Sequence, residues 1–262
     1  MRISRSAKRI AAAVVLGAIP FATTGADWPT YLQSPQRTSA SGETILTTAN
    51  APSLHKVWSH GTGGIMSASA TIVNNIVYVG SWDGYEYAFD ASSGLQRWRT
   101  YLGIDTSLGS CGGSRGRGIA STATVQNGVV YVGGGDSYWY ALSASSGRVL
   151  WKVMVGDNAT GHFNWSSPLV VNGHAYVGIA SLGDCPLVQG QVLDILLGSH
   201  AIAHTFNVVP TGQTGGTVWS SPAAGPSLSA LFVTTGNEAR EPATVQPQAR
   251  AEIMWKHLEL LN

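Results

Sequence analysis

Apolar and polar positions alternate most regularly in three stretches of the chain. Val77-Tyr78-Val79-Gly80, Val130-Tyr131-Val132-Gly133 and Ala175-Tyr176-Val177-Gly178 each follow a short apolar run: Ala70-Thr71-Ile72-Val73, Ala123-Thr124-Val125 and Pro168-Leu169-Val170-Val171. The run and the Tyr-Val-Gly segment are separated by Asn74-Asn75, Asn127-Gly128 or Asn172-Gly173. Period-two alternation of β-branched and aromatic residues, joined by dipeptides that tolerate positive φ, predicts tight hairpins. The first two units continue in register, through Tyr87-Ala88-Phe89-Asp90-Ala91-Ser92-Ser93-Gly94 to Trp98 and through Tyr140-Ala141-Leu142-Ser143-Ala144-Ser145-Ser146-Gly147 to Trp151. Tyr78 to Tyr131 and Trp98 to Trp151 are the same 53 positions apart, so whole units repeat.

Each unit reads as four short strands, and a period of roughly 45 to 55 residues is that of propeller blades. The expected fold is all-β, a β-propeller of four-stranded blades over residues 54–240. A blade cannot bury both of its faces alone, so the tryptophan that closes one unit is expected to pack against the next. Four units are visible. The fourth runs from Trp219-Ser220-Ser221-Pro222 to Leu231-Phe232-Val233-Thr234 and resembles Trp165-Ser166-Ser167-Pro168 of the third, but its third and fourth strands are not recognisable. Residues 27–53 form an irregular lead-in expected to be extended. Residues 241–262 form an irregular tail in which Ile253, Trp255 and Leu258 have helical spacing. Four blades fit either a small closed ring or a larger ring cut short, and the abrupt loss of pattern after Asn237 favours the larger one.

Composition narrows the function classes. Charged residues are 11% of the 262 positions, well under the usual share of about 25%, and glycine is abundant at 32 residues. The formal charge is +1. Arg2, Arg5, Lys8 and Arg9 precede an apolar stretch from Ile10 to Ala22, and Thr24 and Ala26 are small. Residues 1–26 read as a secretory signal peptide, which places the mature protein in the periplasm or outside the cell. Without it, 11 basic residues face 14 acidic ones, a net −3. A mildly acidic body with no basic stripe disfavours a nucleic-acid partner. The apolar stretch is shorter than the ~20 residues of a membrane span, so none is expected after cleavage. Cys111 and Cys185 are the two cysteines, and export favours their pairing as a disulfide over two free thiols.

The D-A-x-x-G-x-x-x-W endings and the Tyr-Val-Gly strands resemble the repeat of the pyrroloquinoline quinone (PQQ)-like β-propellers, the superfamily of quinoprotein alcohol dehydrogenases and their non-catalytic relatives. The resemblance covers residues 27 to 240. Dehydrogenases of that superfamily have eight blades, which implies part of an eight-bladed ring here. Gly215-Gly216-Thr217-Val218-Trp219, followed 18 positions on (237 − 219) by Asn237 in Thr235-Gly236-Asn237, is similar to their G-G-T-x-W and T-G-N elements. The resemblance implies that Thr217 hydrogen-bonds PQQ, that Trp219 is the floor under its flat ring, and that Asn237 offers a carbonyl oxygen to Ca2+. The alternative makes Trp219 an inter-blade packing residue and Asn237 a turn cap. Arg117, in Arg117-Gly118-Ile119-Ala120, matches the arginine that grips cofactor carboxylates, a task suited to its planar fork. A solvated loop is the alternative for it. Asp184 lies loosely where a calcium-binding glutamate is expected.

Departures from that pattern are equally plain. Gly112 replaces the second of the family's two adjacent cysteines, and Ala68 stands near where the family places a cofactor-contacting glutamate. No acidic residue matches the base that takes a hydroxyl proton. Gly112 to Gly116 spells G-x-S-x-G without the following helix of a nucleophile elbow, and His200 and His204 lack the context of a metal pair. Two functions remain. One is an exported quinoprotein-type dehydrogenase portion, oxidising a small alcohol or polyol only with the rest of its ring. The other is a non-catalytic propeller scaffold that binds other proteins in the cell envelope.

Overall fold

The computed structural model describes residues 27–107, 116–184 and 186–236 and the backbone of 257–259. They form four antiparallel sheets, one per sequence unit, and the fold is a β-propeller. The first sheet is β1 (Thr71–Val73), β2 (Ile76–Gly80), β3 (Tyr85–Asp90) and β4 (Gln96–Tyr101), and the second is β5 (Thr124–Gln126), β6 (Val129–Gly133), β7 (Tyr138–Ser143) and β8 (Val149–Met154). In the third, a short β9 (His162–Phe163) pairs with the far end of β11 (His174–Ser181), which sits between β10 (Leu169–Val171) and β12 (Gln191–Leu196), with β13 (Ala201–Asn207) outermost. The fourth holds β14 (Ala223–Ala224), β15 (Ala230–Phe232) and β16 (His257–Glu259). The spacing of the chain end predicts a helix, and its described part is instead this strand. Its edge partner Ala230–Phe232 presents backbone groups that an extended neighbour satisfies and a helix does not.

The hairpin dipeptides do what their residue types allow. Asn74 and Asn75 stand at φ 51° and 62°, Asn127 and Gly128 at 51° and 75°, and Asn172 and Gly173 at 51° and 82°, the two positive values that match the twist of flanking strands. The Asp-Ala-Ser-Ser-Gly turn is equally specific. The Asp90 carboxylate accepts from the amides of Ser92 and Ser93, and the amide of Gly94, at φ 72°, donates to the Asp90 carbonyl.

Glycine in this turn also makes room for the neighbouring blade. A Cβ on Gly147 would lie 2.6 Å from the Trp98 ring, and one on Gly94 would lie 2.7 Å from Trp58. Both indoles then donate to the same kind of acceptor, Trp98 Nε1 to the Ala144 carbonyl at 2.9 Å and Trp58 Nε1 to the Ala91 carbonyl at 2.8 Å. Trp58 thus serves the first blade as Trp98 serves the second, and the Leu54–Gly61 stretch stands where the outer strand of a preceding blade belongs.

Apolar clusters fill the spaces between sheets. Tyr78, Ala88, Trp98, Val130, Val132 and Leu142 meet between the first and second blades, while Tyr131, Trp139, Val177 and Ile195 meet between the second and third. Leu169, Tyr176, Val218, Leu231 and Val233 join the third to the fourth. The first of these interfaces contains a polar exception. Glu86 is fully buried, and neither carboxylate oxygen has a hydrogen-bond partner among the described residues.

Two predictions follow from these positions. Burial pushes the Glu86 carboxyl well above its ordinary 4.5, so folding holds it neutral while the unfolded chain ionises it. The folded state is therefore favoured in full below the unfolded value, and that advantage is lost as pH rises toward the folded value. Glu86→Met should raise stability at neutral pH by about 1–3 kcal/mol. Urea denaturation across a pH series checks this: the gain over the wild type must grow with pH above the ordinary carboxylate range. At the glycines, Gly128→Ala meets no atom within 4 Å and should cost only left-handed strain, about 1 kcal/mol. Gly147→Ala adds a clash with Trp98 and should cost at least about 2 kcal/mol. Equal melting temperatures for the two variants would refute the docking role of that turn.

Candidate functional site

The first strands of the four blades converge, and the residues just before them hold the blades together by a repeated bond. The amide of Ser69 donates to Thr122 Oγ1 at 2.9 Å, that of Thr122 to Ser167 Oγ at 3.0 Å, and that of Ser167 to Ser221 Oγ at 3.0 Å. The steps are 53, 45 and 54 residues, so each blade's hydroxyl caps the backbone of the one before it. Two further hydroxyls cross between blades, Ser121 to the Ser166 carbonyl and Thr124 to the Pro168 carbonyl.

The lead-in runs across this convergence. Trp28 bridges to Ile72, the Val125 amide donates to the Pro29 carbonyl, Thr30 meets Thr124 hydroxyl to hydroxyl at 2.7 Å, and the Ala224 amide donates to the Pro35 carbonyl. Arg37 completes the crossing. Its Nε donates to the Pro222 carbonyl (3.0 Å), Nη1 to Thr30 Oγ1 (2.6 Å) and the Tyr31 carbonyl (2.7 Å), and Nη2 to the Pro168 carbonyl (2.9 Å). Burial lowers its pKa from 12.5 to about 10, so it remains charged at neutral pH.

Over this frame lies a cavity of about 580 Å3, lined by Tyr31 of the lead-in, by Ser69 and Thr122, by Trp165 and Ser167, and by Trp219 and Ser221 among others. Trp219 is 61% exposed, the most exposed tryptophan among the large apolar side chains left open to solvent, and it opens on the cavity instead of packing between blades. Trp165 lines the same space with its Nε1 tied to the Ser181 carbonyl at 3.0 Å.

The other residues singled out in the sequence fall at different depths. Arg117 is bracketed by two indoles, its guanidinium carbon 5.5 Å from the Trp82 ring centre and 5.8 Å from that of Trp165, and Nη1 donates to the Leu182 carbonyl at 2.7 Å. It stands directly behind a cavity wall. Thr217 is buried at 1% and does not line the cavity. Its carbonyl accepts from the Gly236 amide at 2.9 Å, and a Cβ on Gly236 would lie 2.8 Å from Trp219 Nε1. The G-G-T-x-W and T-G segments are therefore joined, and glycine lets them meet. Asp184 is exposed, at φ 61°, and is not part of the lining. Asn237, Cys111 and Cys185 lie outside the described residues, so the calcium ligand and the disulfide expected there do too. Among the described residues no group of three or more acidic, histidine or cysteine side chains is placed to hold a metal ion.

Sequence reasoning passed over Arg37 and Trp58. Trp58 had little signal, since Lys56-Val57-Trp58 shares only its tryptophan with Gln96-Arg97-Trp98 and Val149-Leu150-Trp151. Arg37 had none, because its acceptors are backbone carbonyls 131 and 185 residues away. His204 and His174 also proved to be engaged, each through Nδ1 with one oxygen of Asp194, at 3.2 and 2.7 Å.

Comparison with known proteins agrees with the geometry. Residues 40–193 match the PQQ-repeat family described as outer membrane protein assembly factor BamB. The quinoprotein alcohol dehydrogenase PedH of Pseudomonas putida is 23% identical over 212 residues, covering 72% of this chain and 35% of that protein. BamB of Burkholderia pseudomallei is 34% identical over 122 residues, 46% of this chain and 27% of that protein. Among solved structures, quinohemoprotein alcohol dehydrogenase from Comamonas testosteroni superposes with a TM-score of 0.69 at 22% identity, over 80% of this chain and 35% of that one. The chain thus spans about a third of the length of the dehydrogenases it matches.

Proposed function

The chain belongs to the PQQ-repeat family described as outer membrane protein assembly factor BamB, and we propose that its four-blade cavity is a seat for a planar quinone of the PQQ type. The observation that carries this reading is Trp219, a broad indole left 61% exposed on a cavity of about 580 Å3. A large aromatic surface is retained in water only at a cost, and a flat ring is the partner that recovers it. Arg117, fixed between Trp82 and Trp165, supplies a planar donor set suited to a carboxylate at the cavity's margin. Thr217 supports the floor from beneath through its bond to Gly236.

A bound quinone supplies the capacity to accept hydride from an alcohol carbon. The described residues supply the seat and no more. No carboxylate is among the cavity's lining residues, so no side chain there takes a hydroxyl proton. Calcium fits poorly, because Asp184 is exposed and away from the lining. Asn237 is the remaining ligand proposed for it. We further propose that residues 1–26 direct export to the periplasm or beyond, and that a small alcohol or polyol is oxidised only where the rest of a larger ring provides the base. No helix among the described residues is long and apolar enough to cross a membrane. The match to B. pseudomallei BamB favours a second reading, a scaffold that binds protein partners through its blades.

Titration with PQQ, followed by tryptophan fluorescence with and without calcium, separates the two. The quinone reading expects saturable quenching that Trp219→Ala weakens about five- to tenfold, the equivalent of roughly 1 kcal/mol of stacking. It also expects no dye-linked alcohol oxidation by this chain. Absence of quenching at millimolar PQQ would leave the scaffold reading in possession.

A further inference from the structure

Arg37 carries a charge that no described residue neutralises. Among the described residues its side chain meets three backbone carbonyls and one hydroxyl, and no carboxylate lies within ion-pairing distance of it. The carbonyl dipoles offset part of the desolvation cost, but a full positive charge remains. Burying a cation without a counter-ion is costly, and a structure that needed only a clasp between segments would be served by neutral donors.

The position of this charge is specific. Its acceptors are the carbonyl of Tyr31, which lines the cavity, and those of Pro168 and Pro222, each the chain neighbour of a lining serine, Ser167 and Ser221. The guanidinium has five N–H donors and four are engaged. Of the buried acids, Glu86 is held neutral by its own burial between the first and second blades, and neither Asp90 nor Asp194 pairs with Arg37, since they engage Arg97 and the two histidines His174 and His204. The lining itself carries no ionisable group except Tyr31.

We infer that Arg37 makes the cavity electropositive from below and so restricts its occupant to an anion, with polycarboxylates preferred over neutral rings of the same shape. The inference rests on the reading of the cavity as a quinone seat and adds a selectivity that Trp219 cannot provide, since the negative π face of an indole does not favour an anion. Because the source is partly buried, its field reaches the cavity through a low-dielectric frame and is screened less by salt than that of a surface lysine.

The test compares PQQ with its neutral trimethyl ester by fluorescence titration of the full chain and two variants. The wild type is expected to bind the acid more tightly than the ester. Arg37→Gln keeps donors but no charge, and should weaken the acid about tenfold while changing the ester little. Arg37→Lys keeps the charge without the fork and should retain the acid-to-ester preference even if both affinities fall. Arg117 is the same in all three proteins, so differences between them isolate Arg37. An equal loss for acid and ester in Arg37→Gln would show a purely structural clasp and overturn the inference alone. Should Arg37→Gln not fold, Arg37→Lys and a further variant, Arg117→Gln, decide together: a preference lost in Arg37→Lys, or lost in Arg117→Gln while Arg37 is intact, overturns the inference, and a preference that survives both upholds it. Binding of neither compound to the wild type overturns the quinone reading and this inference together.

Discussion

The first three sheets of this protein are apolar on both faces, and that constraint organises the rest. Val130, Val132 and Leu142 face the first blade while Tyr131, Trp139 and Ala141 face the third, so the second blade has no solvent side at all. Alternation along a strand normally separates a wet face from a dry one. Here both registers are dry, and the few ionisable groups on inner strands are neutralised or paired: Glu86 is held neutral by burial, and Asp194 engages His174 and His204. The low content of ionisable residues is a direct result. Neighbouring blades must then be held at a fixed distance, and the chain does so at two radii: outside by an indole that donates across the gap to the next turn, inside by a hydroxyl that accepts from an amide of the preceding blade.

The inner clasp has consequences that the outer one lacks. Ser69, Thr122, Ser167 and Ser221 leave no bulky side chain at the convergence, so the blades approach closely there and enclose a space instead of a core. Covering that space from one side requires a segment with no regular structure of its own. The lead-in meets the requirement by borrowing hydrogen bonds from every blade: Trp28, Pro29, Thr30 and Pro35 reach the first, second and fourth, and Arg37 reaches the third and adds a further bond to the fourth. Arginine suits the task because a fixed fork serves several carbonyls at once. The same choice places a charge where a neutral side chain would have left none, so a structural need and the cavity's electrostatics have one origin.

The blades were legible in the sequence because their determinants are local. Asn-Gly turns, the Asp-Ala-Ser-Ser-Gly cap and the register of Tyr78 with Tyr131 each lie within a few residues of the strands they define. For Trp219 the sequence left two readings open, a cofactor floor by resemblance and an inter-blade packing residue, and its 61% exposure on the cavity depends on the placement of four blades that no local pattern encodes. What escaped was set by distance along the chain. Arg37 bonds to residues 131 and 185 positions away, and nothing near it in sequence distinguishes it from a solvated loop arginine. The tail shows the opposite error: Ile253, Trp255 and Leu258 have helical spacing, yet the described strand at 257–259 answers the open edge of Ala230–Phe232, a tertiary demand that spacing does not encode.

The hydroxyls around the cavity are largely committed to the frame, which limits what the cavity can recognise. Thr122, Ser167 and Ser221 accept from backbone amides, Ser67 accepts from Trp82 Nε1, and Ser220 donates to the Thr234 carbonyl. A ligand that relied on these groups for orientation would have to compete with the bonds that hold the blades together. What the frame leaves most open is the indole face of Trp219, while the planar fork of Arg117, set against Trp165, is the directional donor proposed for a carboxylate. A reacting carbon needs a fixed pose as well as a base, and no carboxylate is among the lining residues described.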